Sequence, residues 1–304
     1  MDDGSSDRTI GELSALDDTR LRVLRHDYPK GVSAARNFGL SRVTAPWVAF
    51  LDDDDVWAPG HLSAMLGAIR RSSLARDRVG LAFSGHLDVN AHREVTKVEP
   101  AAPAEAIREG LKRMNVVGCP SRVLLSTKAV NAVGGFDPHL SIMADWDLWV
   151  RVLAAHEAVR CPELLVAYMR HPGNMHLDAQ RFRAEVAMLQ EKHGWSNELR
   201  RDAVFGDLLP SYIAATYRAR GRRIPAARWY TRSFRARRDP RDLARAAGVI
   251  LGERLTELSG LGTRTTVDPA VGQWLELVRR AERATTTGLV PLNGIPSNGV
   301  SSSS

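Results

Sequence analysis

Cysteine is nearly absent: the 304 residues include two, Cys119 and Cys161, and neither stands in a redox-type or zinc-type pair. That excludes a disulfide framework and a cysteine-built zinc site, and it fits a reducing compartment. No apolar run approaches the roughly 20 residues that a membrane-spanning helix needs. The opening Met1-Asp2-Asp3-Gly4-Ser5-Ser6-Asp7 is too acidic and polar to serve as a signal peptide. The expected location is the cytoplasm, with peripheral contact at the inner face of the cell membrane left open. Aromatic residues are sparse, at 6%. No helix-turn-helix, zinc finger or set of stacking aromatics accompanies the basic residues, so nucleic acid is not an expected partner.

With 44% hydrophobic and 25% charged residues the chain is globular, long enough for one large core and a smaller appended unit. The formal charge is +7 and the pI near 9.8. Much of the excess comes from arginines crowded between Arg218 and Arg245. They read first as the solvated face of helices, and second as a surface for membrane or polymer.

Up to about Val89, short apolar runs alternate with amphipathic stretches, the pattern of an α/β sheet with crossover helices. Leu21–Leu24 is a short strand candidate and Val32–Ser41 a helix. Trp47–Leu51, apolar on both faces, suits a buried parallel strand. A helix over His61–Ser72 and a strand over Val79–Phe83 follow. Asn90–Pro103 turns polar and reads as a mobile loop. Then come helices over Ala104–Lys112 and Lys128–Val133, with a strand at Arg122–Leu125 between them. A helix over Asp145–Ala154 has Trp146 and Trp149 at core spacing, and a strand covers Leu164–Met169. From about Asp178 the pattern is helical: Ala179–His193, Glu198–Ala219, Pro225–Arg237, Pro240–Ser259 and Ala270–Ala284. The Thr-, Gly-, Pro- and Ser-rich end is expected to be disordered. The expected division is thus residues 1–177, 178–284 and 285–304.

The strand at Trp47–Leu51 runs straight into Asp52-Asp53-Asp54-Asp55. Like charges this close raise one another's pKa unless something offsets them, and a divalent cation would. In extended chain Asp52 and Asp54 share a face, while Asp53 and Asp55 point the other way. Magnesium or manganese suits such oxygen ligands, leaving room for water or phosphate. The alternative is an acidic turn capping the helix that follows.

The segment Phe50-Leu51-Asp52-Asp53-Asp54-Asp55-Val56-Trp57 resembles the metal-binding DxD element of family-2 glycosyltransferases with the GT-A fold. Asp2-Asp3-Gly4-Ser5-Ser6-Asp7 resembles their DDGS element. Gly31-Val32-Ser33-Ala34-Ala35-Arg36-Asn37-Phe38-Gly39 is similar to their G-x-x-x-A-R-N-x-G helix. Val133-Gly134-Gly135-Phe136-Asp137 with Asp145-Trp146-Asp147-Leu148-Trp149-Val150-Arg151 is similar to their GGFD turn and ED-x-x-L-x-x-R helix. The order is conserved from Met1 to about Met175.

The resemblance implies an α/β GT-A fold with a Rossmann-like mixed sheet and an all-α C-terminal extension. It also implies an inverting transferase moving a sugar from a nucleoside diphosphate donor, UDP-linked, to a saccharide, lipid-linked or other hydroxyl acceptor in polysaccharide biosynthesis. Asp145 would be the general base. Asp2, Asp3, Ser5, Arg36, Asn37 and Asp52 would hold the donor, and Asp52, Asp54 and His171 would meet Mg2+ or Mn2+. For His171 a purely structural role is the equal alternative. Two departures stand out: Ala144 occupies a usually acidic position, and the sequence starts at the DDGS element, as if the first strand and helix were missing. A truncated, non-catalytic binding domain is the competing expectation.

Overall fold

The computed structural model describes residues 1–90, 94–171, 173–195 and 208–251, all within one compact unit, Met1–Thr265. The helix expected over Ala270–Ala284, the tail 285–304 and parts of two other expected helices lie outside the described residues. In chain order the elements begin with α1 (Thr9–Ser14), α2 (Val32–Leu40), β1 (Trp47–Ala49), β2 (Val56–Trp57) and α3 (His61–Arg71). Next come β3 (Val79–Val89), β4 (Val95–Glu99), α4 (Ile107–Leu111), β5 (Val123–Ser126), α5 (Thr127–Ala132), α6 (Ala144–Leu153) and β6 (Glu157–Met169). Helices α7 (Ala179–Lys192), α8 (Leu209–Ala219), α9 (Arg223–Arg237) and α10 (Pro240–Leu251) follow.

The sheet has the order β1-β5-β3-β6-β2, with β4 hairpinned onto β3. The β3–β6 pair is parallel and the other pairs are antiparallel, so the sheet is mixed. The α/β class with a helical C-terminal part is therefore present as expected. β3 is buried along nearly its whole length; its first half, Val79–Phe83, reads as an apolar run without alternation for that reason, whereas Ser84, His86 and Asp88 in its second half hid the continuation of the strand to Val89. Helix α6 lies close against it at Gly80, where a Cβ would fall 2.8 Å from Cγ1 of Val152. Trp146 and Trp149 of α6 fill the core, and their indole nitrogens donate to the carbonyls of Leu111 and Gly118 at 2.7 and 2.9 Å. The core reading of these two tryptophans holds.

Several local expectations are corrected. The run at Trp47–Leu51 is not a buried parallel strand. Its hydrogen-bonded part, β1, is a half-buried antiparallel edge strand paired, among the described residues, with β5 alone. Leu21–Leu24 forms no strand: a single bridge joins Asp2 to Arg25, and Leu21 and Val23 stay exposed. The stretch read as a loop contains β4, whose outward residues are polar because it is a hairpin edge. β6 extends back to Glu157, since Pro162 and Glu163 fall where its register with β3 shifts and interrupt the apolar pattern without ending the strand. Helix α1 and the two-residue β2 carried no readable signal.

Phe182, Val186 and Leu189 of α7 join the central core, whereas α8–α10 pack around a small cluster of Ala214, Tyr230 and Ala246. Packing thus places α7 with the α/β layer. Most arginines of α8–α10 face solvent, Arg218, Arg228 and Arg245 among them. Among the described residues, no helix is long and apolar enough to cross a membrane.

Candidate active site

Five chain segments converge beside the sheet: the start of α2, the turn after β1, the stretch before β5, the entry of α6 and the end of β6 with the residues that follow it. Between them lies a cleft of about 400 Å³. Its charged lining is Arg36, Asp52, Asp53, Asp54, Asp145 and His171, and Val32, Pro120, Ile142, Tyr168 and Met175 supply apolar wall.

The aspartate run is not extended chain. The amide of Asp55 donates to the carbonyl of Asp52 at 3.0 Å, closing a turn. Period-two alternation therefore fails: Asp52, Asp53 and Asp54 all line the cleft, and Asp55 alone turns inward, 7% exposed. Ser121 anchors this turn, its hydroxyl accepting from the Asp52 amide at 3.1 Å and its carbonyl from the Trp57 indole at 2.7 Å. Burial, reinforced by the neighbouring Asp52 and Asp54 charges, pushes the Asp55 carboxyl up to about 7. Arg36 donates to Asp52 Oδ1 at 2.6 Å. Asp54 Oδ2 lies 2.9 Å from His171 Nε2, and Asn174, also in the cleft wall, holds the His171 amide at 2.8 Å.

Asp145 stands in the first turn of α6. Burial pushes its carboxyl up to about 6; the Trp146 amide, the Arg36 guanidinium and Asn115 pull the other way, and Asp52 adds to the rise. Asn115 Nδ2 donates to Asp145 Oδ2 at 3.1 Å, while its own carbonyl oxygen accepts from the Gly118 amide at 2.9 Å. A carboxylate poised near neutrality, facing a guanidinium and a second carboxylate, is suited to accepting a proton. Ala144 beside it is fully buried.

The other expected donor-binding residues do not line this cleft. Asp2 accepts from the Ser5 hydroxyl and amide and pairs with Arg25 at 3.1 Å. Asp3 receives His26 at 2.7 Å and the amides of Lys30 and Gly31 at 3.0 and 2.8 Å. Against the penalty of burial, these bonds hold the Asp3 carboxyl below its ordinary value. Asn37 spends both ends of its amide on the backbone of Phe136, at 2.7 and 2.8 Å. It joins α2 to the Gly134-Gly135 turn.

That junction gives a stability prediction. Gly135 has φ +74°, and a Cβ there would sit 2.5 Å from Asn37 Oδ1. Gly135→Ala is expected to cost about 2 to 3 kcal/mol, from the left-handed backbone and the displaced amide together. Urea unfolding measures this; an unchanged midpoint would show the turn can relax freely.

Asn115, Ser121 and Asn174 were not foreseen. The only sequence signal for them was their place in polar stretches between elements.

Residues 1–85 match the family model described as Glycosyl transferase family 2, a span that takes in the first three of the four motifs. The chain is 26% identical over 162 residues to the UDP-Glc:alpha-D-GlcNAc-diphosphoundecaprenol beta-1,3-glucosyltransferase WfgD of Escherichia coli, covering 53% of this chain and 60% of that protein. It is 31% identical over 188 residues to the pre-mycofactocin glycosyltransferase of Mycobacterium tuberculosis, covering 55% of this chain and 36% of that protein. This chain therefore spans less than two thirds of the length of either relative. Among solved structures, the mannosyltransferase PcManGT from Pyrobaculum calidifontis in complex with GDP-Man and Mn2+ aligns with TM-score 0.46 at 15% identity, covering 93% of this chain and 69% of that chain.

Proposed function

We propose, from the premise that residues 1–85 are family 2 glycosyl transferase sequence, that this chain transfers a sugar from a nucleoside diphosphate donor to an acceptor hydroxyl with inversion. The observation that carries the reading is the meeting of Asp145, the Arg36–Asp52 pair and the Asp54–His171 pair in one cleft. Asp145 takes the proton of the acceptor hydroxyl as its oxygen bonds to the anomeric carbon, and the bond to the diphosphate breaks with its electron pair on the leaving phosphate. With one base and no nucleophilic carboxylate assigned, a single displacement inverts the centre, by the logic that separates inverting from retaining hydrolases. Arg36, the cation nearest the base and the acidic turn, holds the donor phosphates.

A divalent cation fits the donor set. Among the described residues no three His, Cys, Asp or Glu side chains are gathered to hold an ion by themselves. Asp54 and His171, with Asp52 beside them, supply part of a shell that substrate phosphate and water complete, the habit of Mg2+ and Mn2+. When bound, the ion would neutralise charge on the departing diphosphate.

UDP-Glc and a lipid-linked saccharide are named for the Escherichia coli relative; the same classes, a UDP-sugar and a saccharide or lipid-linked acceptor in polysaccharide biosynthesis, are proposed here. The exposed arginines of α8–α10 support peripheral contact with the cytoplasmic face of a membrane.

The test is release of nucleoside diphosphate from a panel of nucleotide sugars, with and without acceptor saccharides. Turnover is expected with Mn2+ or Mg2+, falling at least tenfold in EDTA and returning when either ion is restored. Release that ignores EDTA removes the metal from the reading. No release from any donor removes the transferase assignment.

A further inference from the structure

Helix α6 presents Asp145, yet its own N-cap, Met143, provides no side-chain cap. The amides at a helix entry need acceptors, and a buried entry without them is unstable. Within α6 the Trp146 amide is taken by Asp145 Oδ1 at 2.6 Å, while the amide of Met143 and the two before it find their acceptor on another element. Glu185 of α7 is 3% exposed, and its carboxylate accepts from the amides of Ser141, Ile142 and Met143 at 2.9, 2.7 and 2.9 Å. The Ser141 hydroxyl adds a fourth bond at 2.8 Å, and Arg181 Nε reaches the same carboxylate at 2.9 Å. Two of these residues, Ser141 and Ile142, line the cleft, and Asp145 follows within one turn. About two turns further along α7, Lys192 and His193 grip Asp147 of α6 at 2.9 and 3.0 Å. Held at both places, α6 cannot rotate about its axis without breaking buried charge-assisted bonds.

We propose that Glu185 is a positioning residue: it fixes the entry of α6, and with it the aim of Asp145 and the Ser141–Ile142 wall, towards the acceptor hydroxyl. The inference rests on the reading of Asp145 as base, and it makes α7 part of the reaction machinery although it lies beyond the family-2 stretch. Misplacing a base by about 1 Å can cost on the order of a hundredfold in rate without weakening ground-state binding.

The experiment compares wild type, Glu185→Ala, Glu185→Gln and Ser141→Ala in the full chain. Turnover is read alongside hydrogen exchange of the 141–147 amides. Glu185→Ala is expected to lower kcat tenfold or more while donor KM stays within twofold. Glu185→Gln, which keeps length and one acceptor oxygen, should recover part of the loss, and Ser141→Ala should lose least. Exchange should accelerate at 141–147 and not across β3. If Glu185→Ala does not fold, the Gln and Ser141→Ala variants carry the comparison. Wild-type kcat in folded variants, or kcat and donor affinity falling in step, overturns the proposal. If the wild type turns over no donor, the base reading fails by itself; unaltered exchange at 141–147 overturns the clamp independently.

Discussion

Asp145→Asn is expected to reduce sugar transfer by about a hundredfold to ten-thousandfold, the range general-base removal commonly produces, while donor affinity changes little. The substitution keeps the shape of the side chain and one acceptor oxygen, enough for either the Trp146 amide or Asn115 Nδ2, at 2.6 and 3.1 Å from the present carboxylate, but removes the site that takes the acceptor proton. The pH dependence sharpens the test. Burial places the Asp145 carboxyl at about 6 in the folded protein, and only the ionised form accepts a proton. Transfer should therefore rise with pH through about 6 and level off above it. In the Asn variant that acidic limb should be gone from the residual rate. Steady-state rates between pH 5 and 8, with donor binding followed by calorimetry, decide the matter. Full turnover in the variant, or an acidic limb that survives the substitution, would end the assignment.

The second large effect falls on stability. Asp147 is fully buried and is met by Arg151 at 2.6 Å, Lys192 at 2.9 Å and His193 at 3.0 Å. Arg151 in turn donates to the carbonyls of Val133 and Gly135 at 2.7 and 2.8 Å. One carboxylate thus ties α6, the Gly134-Gly135 turn and the end of α7. Burial disfavours the charge, but the His193, Arg151 and Lys192 contacts prevail and hold the carboxyl down at about 2. Set against 3.8 in the unfolded chain, that difference is worth roughly 2 kcal/mol. Removing one partner of a buried ionic network costs about 3 to 5 kcal/mol, because the remaining charges lose compensation. Asp147→Asn should accordingly lower stability by about 2 to 4 kcal/mol at pH 7. The sign with pH follows from the depressed value: the contribution is complete above the unfolded pKa and drains away as pH falls through about 2. Thermal melts of wild type and variant should therefore lie furthest apart near neutrality and draw together between pH 4 and 2. A constant gap would mean that packing, and not charge, accounts for the loss.

These two aspartates sit two residues apart in one motif and do different work. The motif was visible as a spacing; the division of labour was not. Asp145 lines the cleft, while Asp147, one step around the helix, enters the core beneath the Gly134-Gly135 turn. Asn37 is similar: legible as a motif residue, it is consumed by the Phe136 backbone and stands outside the cleft. In the acidic run, a turn and not an extended strand decides which carboxylates face the cleft.

The sequence by itself determined the class of elements and the chemistry available. Apolar runs marked the first half of β3 and the interior of α6, a helical pattern marked α7 to α10, and the clustered carboxylates raised the expectation of a cation, to which the motif resemblance added Arg36 and His171. Such signals are local: periodicity and residue type are set within a few neighbours, and they survive in the folded chain. The tertiary structure decided which of those groups meet. Ser121 under the acidic turn, Asn115 on Asp145 and Glu185 at the entry of α6 act across long stretches of chain. A hydrogen bond of that kind depends on where two backbones are brought by the packing of everything between them, and no pattern at either end records it.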